Sequence, residues 1–552
     1  MPEKHYSKHK ETLKKAREVI ATREYWSPYP ESPRAYGEDA PAAGEAAFED
    51  RLGKRFTIDQ AADYWSPGTE ASPYGRDLGI TYPVTEVDAL LTAAQTAGEE
   101  WGRAPVKHRT GVCLEILHRL SRSSFEMAHA VMQTTGQSFL MAFQAGGPHA
   151  LDRGLEAVVY AHEALTLLPK TTRWEKPQGT RDPVVVNKTW RIRPAGIAAT
   201  LGVSTFPTWN GYPGIFASLV TGNPVIVKPH PATILPLAIF VETARQVLAD
   251  AGFDPNVVQL AVDTAEAPIA KHLVMDPRVK LIDYTGGSAF GDWLEKNATH
   301  AEVFTEKAGV NSVIIDSATD LKGVFRNLSV SMTMYGGQMC TTPQNVFVPR
   351  TGIEVGGEPV GYDEVVAGFA GAIDGLLSDD DRASDILGAI KDAASLERLN
   401  AAASGHQVLL ESREVKNVRF PEAVVRTPVI VAVDGADKDT YMREMFGPVI
   451  YVVATDSTEQ SLDLATEATL RHGALTWLVY STDPAVQERA EDAAVAAGVS
   501  VAFNLTGGLF VNQSAAFSDF HATGANPAGN SSLTDPAFIA KRFRVVGVRK
   551  PA

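Results

Sequence analysis

Cysteine is almost absent from this chain: only Cys113 and Cys340 occur in 552 residues. That scarcity excludes a disulfide framework and any Cys-rich zinc site, so no metal is expected, and a reducing cytoplasm fits. Long apolar runs are missing too. No stretch reaches the roughly 18 apolar residues that span a bilayer. The first residues, Met1-Pro2-Glu3-Lys4-His5, lack the apolar core of a signal peptide. The third absence is a surplus of positive charge: 51 Lys and Arg against 66 Asp and Glu leave a net charge of −15. A general nucleic-acid surface needs the opposite balance.

What is present is the composition of a soluble globular protein, 44% hydrophobic and 21% charged. At 552 residues the chain exceeds one ordinary core, and two or three domains are expected.

Residues 1–80 form a polar and aromatic extension with an internal echo. Tyr25-Trp26-Ser27-Pro28 returns as Tyr64-Trp65-Ser66-Pro67, and each copy is followed by Ser-Pro and Tyr-Gly. Repeated turn chemistry is the expectation, with a ligand-contacting extension as the alternative. Thr85 is placed to cap a helix whose apolar residues Val87, Leu90, Leu91, Ala94 and Trp101 follow three-four spacing. Cys113 shares a helical face with Ile116, Leu117 and Leu120, which assigns it to the core.

Between about 169 and 195 the pattern becomes Pro-punctuated alternation, predicting a protruding strand pair. Short apolar strands then alternate with helices: strands at 197–203, 224–228, 257–262 and 279–285, with helices between them and from 288. That rhythm predicts a mostly parallel sheet covered on both faces, whose ligands bind beyond the carboxyl ends of the strands. Three turns lie there. They are Ser204-Thr205-Phe206-Pro207, Lys228-Pro229-His230-Pro231 and Gly286-Gly287-Ser288. Glycines opening a helix let a phosphate approach its backbone N–H groups, and Lys228 is placed to pair with phosphate or ribose.

A strand-like run at 301–305 ends on Glu306, and a helical stretch later ends in Tyr335-Gly336-Gly337-Gln338-Met339-Cys340, 34 positions on (340 − 306). A thiol delivered past a glycine pair is accessible, and a helix end or nearby dipoles can favour the thiolate that attacks a carbonyl carbon. A carboxylate opposite it can activate a water to hydrolyse the resulting thioester. A buried Cys beside a surface Glu is the alternative. A second α/β pattern comes next, with a strand at 345–348, helices at 362–377 and 383–404, strands near 407–411 and 428–433, and then Glu444-Met445-Phe446-Gly447-Pro448. Glu444 and Phe446 are expected on one side of an extended segment. The tail at 538–548 reads as an edge strand.

Together these segments resemble the aldehyde dehydrogenase superfamily over roughly residues 85–552. Glu306 in Thr-Glu-Lys-Ala-Gly is similar to the family's Leu-Glu-Leu-Gly-Gly segment, and Cys340 in Gly-Gln-Met-Cys to its Gly-Gln-x-Cys nucleophile. The turn at 284–291 resembles the one that meets the cofactor diphosphate. The strand at 221–229 resembles the one whose lysine, here Lys228, contacts the adenosine ribose. Glu444 and Phe446 match the pair that holds the nicotinamide ribose and ring. The resemblance implies an α/β fold with two Rossmann-like domains and a protruding strand-pair and tail element. The implied dinucleotide-binding domain is 81–171 with 196–308, the catalytic domain 309–515, and the oligomerisation strands 172–195 with 530–552.

It also implies Cys340 as nucleophile and Glu306 as the base that hydrolyses the thioester. Thr205 falls where the family has an oxyanion-donating Asn, flanked by Ser204 and Phe206 on the cofactor side; Asn210, five residues on, is a weaker candidate for the same donor and is read first as polar capping within the next helix. NADP or NAD is the implied cofactor. Pro231 replaces a Glu common in NAD-preferring relatives, which leaves room for a 2′-phosphate that Lys228 would favour. The runs at 206–213 and 517–530 resemble the stand-alone bacterial dehydrogenases of phenylacetate degradation. Those act on a coenzyme-A-linked semialdehyde and need a separate hydratase. His521 is read as a solvated loop residue. A cytoplasmic homodimer or homotetramer acting on a small aldehyde is expected. Two alternatives stay open: a coenzyme-A-acylating dehydrogenase or acyltransferase, and a non-catalytic scaffold.

Overall fold

The computed structural model describes residues 2–307, 309–510 and 536–552; the run at 517–530 and His521 lie outside them. Two open sheets organise the chain. The first has five strands in the spatial order Val258–Leu260, Val225–Lys228, Ile197–Leu201, Val279–Thr285 and Glu302–Glu306. All pair in parallel, with Leu201 level with Lys228 and Tyr284, and Thr285 level with Glu306. In-register parallel pairing brings the carboxyl ends of all five strands to one edge. The strands Ile197–Leu201 and Val225–Lys228 are buried at every position, because helices such as Pro207–Thr221 and Leu235–Ala251 cover the sheet.

The second sheet has seven strands, ordered Gln407–Leu410, Val429–Asp434, Val449–Thr455, Pro343–Pro349, Asn311–Ile315, Thr476–Tyr480 and Ser500–Phe503. Only the first of these pairs antiparallel. The chain leaves the first sheet at Glu306 and enters the second at Asn311, so the carboxyl edge of one meets the amino edge of the other.

A third sheet joins Thr171–Gln178, Arg181–Pro194 and Phe543–Pro551, all antiparallel. It stands out from the body, with Trp174, Val184, Val545, Val546 and Val548 exposed. The tail strand begins at Phe543, not near 538, because Pro536–Ala540 is a short helix. Between them Arg542, with no exposed surface, donates to both carboxylate oxygens of Asp283 at 2.9 and 2.5 Å. This is a buried pair whose rupture would strand a charge.

Four local expectations are corrected. The extension holds more than the turns of its echoed motifs, such as the one at 72–75: it contains the helices Pro2–Lys8, Lys10–Thr22 and Ala40–Glu49, and Leu13, Ala16, Val19 and Phe48 are buried. Tyr64-Trp65-Ser66-Pro67 is a strand paired with Thr81–Val84. Thr85 does not cap the next helix, which starts at Val87 after Glu86; its hydroxyl donates to the carbonyl of Ala61. The helix expected over 383–404 is two, Asp380–Leu387 and Ala393–Ala402, broken where Gly388 takes φ +60°. Cys113 is fully buried.

Candidate active site

Where the two sheet edges meet, one cavity of about 550 Å³ opens. The first sheet's edge contributes Ser204, Thr205, Phe206, Lys228, Gly286, Gly287 and Glu306. The second contributes Cys340, Glu444 and Phe446. The structure therefore brings all ten of these side chains or turns onto one wall system.

Cys340 reaches the cavity through a backbone that few residues tolerate. After the helix Leu321–Thr333, Tyr335, Gly336 and Gly337 take φ of 52°, 58° and 71°. A Cβ on Gly337 would collide with the carbonyl oxygen of Gly447, so glycine is required there. Tyr335, the non-glycine in this run, is held by its hydroxyl, which donates to the Thr135 carbonyl. Buried amides secure the rest of the loop. Gln338 Nε2 donates to the carbonyls of Tyr335 and Ala389, both at 3.1 Å, and its Oε1 accepts from Lys391 N at 2.8 Å. Asn311 Nδ2 donates to the carbonyls of Cys340 at 2.7 Å and Thr342 at 3.0 Å, while its Oδ1 accepts from the backbone of Leu475 and Thr476. One side chain thus ties the cysteine loop to two strands.

Glu306 has 1% of its surface exposed and accepts from Asn210 Nδ2 at 2.8 Å. Cys340 lines the same cavity as this carboxylate. Burial first, and then the Glu306 charge, push this thiol well above its ordinary range, while Arg153 pulls the other way. The expectation of a dipole-stabilised thiolate is corrected: the resting group is a thiol with a base beside it. That pair can pass a proton and release a nucleophile when a carbonyl carbon is presented.

Asn210 is also corrected. It sits in the first turn of the helix Pro207–Thr221 but does not cap it; its amide reaches across to Glu306. Thr205 is buried on the cavity wall, with its carbonyl accepting from Gln137 Nε2 at 2.8 Å. Arg153 was not singled out from the sequence. It lies on the helix Pro148–Thr166, 5% exposed, its guanidinium 5.0 Å from the centre of the Trp209 ring. Burial pushes its pKa down, and the nearby charges of Glu306, Glu156 and Cys340 oppose that. On its helix Arg153 shares a face with His149, Ala150, Glu156 and Ala157, so the sequence marked it only as one charge among several.

The other end of the cavity has the features of a dinucleotide site. Gly287 precedes the helix Ser288–Asn297, and the space where its Cβ would stand is open. Gly286 N donates to the Glu306 carbonyl at 3.0 Å, which ties this turn to the neighbouring strand. An open glycine at a helix start fits a diphosphate. Lys228, expected to be available to phosphate, is instead paired with Asp263 at 2.6 Å. Its pKa is lowered by burial, against the pull of Asp263. Glu444 accepts from Gly309 N at 3.2 Å, and burial pushes its pKa up to about 7. The segment carrying it is not extended throughout: Phe446 takes φ +38°, its carbonyl accepting from Arg398 Nη2 at 3.0 Å.

The sequence profile of the aldehyde dehydrogenase family matches residues 81–526, and the chain belongs to that family. It is an NAD(P)-dependent aldehyde dehydrogenase, an oxidoreductase acting on the aldehyde group. The chain is similar to the NAD-dependent aldehyde dehydrogenase of Burkholderia multivorans, whose crystal structure is 52% identical with a TM-score of 0.97, covering 99% of each chain. The geranial dehydrogenase of Castellaniella defragrans is 26% identical over 407 residues, 72% of this chain and 79% of that one. The 1-pyrroline-5-carboxylate dehydrogenase of Thermus thermophilus shares the fold at 17% identity, with a TM-score of 0.70 over 96% of this chain and 99% of that one.

Proposed function

We propose that the protein oxidises an aldehyde to the free carboxylate through a thioester on Cys340. The observation that carries this reading is that Cys340 and Glu306 line one cavity, with the carboxylate held by Asn210. Glu306 takes the thiol proton, and the Cys340 sulfur attacks the aldehyde carbon. The developing oxyanion is met by the backbone N–H of Cys340 and the Thr205 hydroxyl. Gly286, Gly287, Lys228, Ser204, Phe206, Glu444 and Phe446 would hold a dinucleotide, which would accept the hydride that leaves the thiohemiacetal carbon as its oxyanion collapses to the thioester carbonyl. Glu306, kept in place by Asn210, passes the thiol proton on to solvent and, ionised again, activates the water that hydrolyses the thioester, releasing the acid and the Cys340 thiol. This glutamate favours an acid over an acyl-coenzyme A as product.

For the substrate we infer a coenzyme-A-linked semialdehyde from an opened aromatic ring, 3-oxo-5,6-dehydrosuberyl-CoA semialdehyde, as for the phenylacetate-degradation protein PaaN. The run that resembles PaaN, residues 206–213, supplies Asn210 to Glu306 and Trp209 to Arg153. The exposed apolar residues of the three-stranded sheet support a symmetric homo-oligomer.

The test tracks nicotinamide absorbance at 340 nm, with the order-of-magnitude sensitivity of steady-state kinetics, across aldehydes with and without a coenzyme-A handle. Wild type should form acid, fastest with the handle, and Cys340→Ala should form none. Acyl-coenzyme A as product, or undiminished turnover in Cys340→Ala, would overturn the reading.

A further inference from the structure

Lys228 ends its strand, and Asp263 lies just past the end of the adjacent strand Val258–Leu260, where Val227 pairs with Leu260. Both line the cavity at the end away from Cys340, beside the wall formed by His230 and Pro231. The Asp263 side chain is 1% exposed. Its Oδ1 lies 2.6 Å from Lys228 Nζ, and its Oδ2 accepts from Ile269 N at 3.0 Å. The carboxylate is therefore fixed at a strand end, and it neutralises the lysine beside it.

The wall at His230 and Pro231 is tied down by hydrogen bonds. Thr69 Oγ1, from the amino-terminal extension, donates to the Pro231 carbonyl at 2.9 Å. Glu70 accepts from Leu235 N at 2.8 Å, and Thr233 Oγ1 donates to the Ser204 carbonyl at 2.8 Å. His230 adds no compensating charge, since burial and two lysines push its pKa down to about 4.

We propose that Asp263 makes this subsite select an adenosine ribose with a free 2′-hydroxyl over one bearing a 2′-phosphate, so that the protein prefers NAD to NADP. The proposal rests on the reading that this end of the cavity holds the adenosine half. An acidic side chain at a strand end of such a sheet accepts a ribose hydroxyl, whereas a phosphate there needs an unmatched cation. Here the lysine charge is already matched, and a phosphate would face a buried carboxylate. Pro231, which by itself leaves room for a phosphate, is thus outweighed by a residue from the next strand.

The experiment is calorimetric titration of the full-length protein, without aldehyde, with NAD, NADP, 5′-AMP and 2′,5′-ADP. Wild type should bind NAD about tenfold or more tighter than NADP. It should also bind 5′-AMP more tightly than 2′,5′-ADP. Asp263→Asn retains an acceptor for Ile269 N; it should tighten NADP by about tenfold and weaken NAD, so that the NAD-to-NADP affinity ratio falls by about tenfold or more. Equal or inverted wild-type affinities would overturn the proposal, as would an unchanged ratio in a folded Asp263→Asn. If that variant fails to fold, the wild-type ratios of both ligand pairs decide. If wild type binds none of the four ligands, the cofactor reading of this end falls instead, which is a different result.

Discussion

The two ends of the cavity are built on different principles. At the Cys340 end the backbone is left-handed at Tyr335, Gly336 and Gly337, and the buried amides of Asn311 and Gln338 hold it. At the adenosine end the functional groups sit at the ends of regular strands in parallel register and precede an ordinary helix. The contrast teaches that a thiol aimed at a base requires a shaped, strained loop. The adenosine half of a dinucleotide needs only strand ends and a helix start.

Removing the base should break the contrast most. Glu306→Gln should lower steady-state turnover by about 10²–10⁴-fold while leaving dinucleotide binding by calorimetry unchanged. An unaltered rate would remove Glu306 from the reaction.

The same substitution at two glycines sharpens the comparison. Gly337→Ala meets both a φ of +71° and the Gly447 carbonyl, and should destabilise the fold by about 1–3 kcal/mol in denaturant titration. Gly287→Ala enters open space and should leave stability within about 1 kcal/mol. It should still weaken dinucleotide binding, because the new methyl occupies room next to the helix start. Equal destabilisation at both sites would erase the distinction.

The smallest effect concerns pH. The folded Glu444 carboxyl is raised from 4.5 to about 7 by burial. It therefore adds stability that is fully present below about pH 4.5 and lost as pH rises through about 7. Wild type minus Glu444→Gln melting temperature should fall across that interval. Dinucleotide affinity should move the other way, since only the ionised carboxylate accepts two ribose hydroxyls. A flat difference would place Glu444 outside the titrating groups of the site.

Much of the adenosine end was legible in the sequence because alternating short strands and helices carry their own periodicity, and Lys228, Gly286 and Gly287 sit at its punctuation. The thiol end was legible as Cys340 and Glu306 but not in its supports. Asn311 and Gln338 look like ordinary polar residues until folding places backbone groups around their amides. The helices of the extension were missed for a related reason. Lys10–Thr22 buries only Leu13, Ala16 and Val19 against a charged remainder, and His9 meets Glu115 from a helix about a hundred residues away. Such a helix owes its stability to packing, which local propensity does not report.

The sequence by itself determined the family, the α/β rhythm and which chemical groups stand at the ends of strands and helices, because these depend on neighbours within a few positions. Only the tertiary structure decided that Cys340 rests as a thiol, that Asn210 serves Glu306 and that Lys228 is matched by Asp263. Protonation and pairing depend on burial and on charges brought in from other strands, and a linear pattern contains neither.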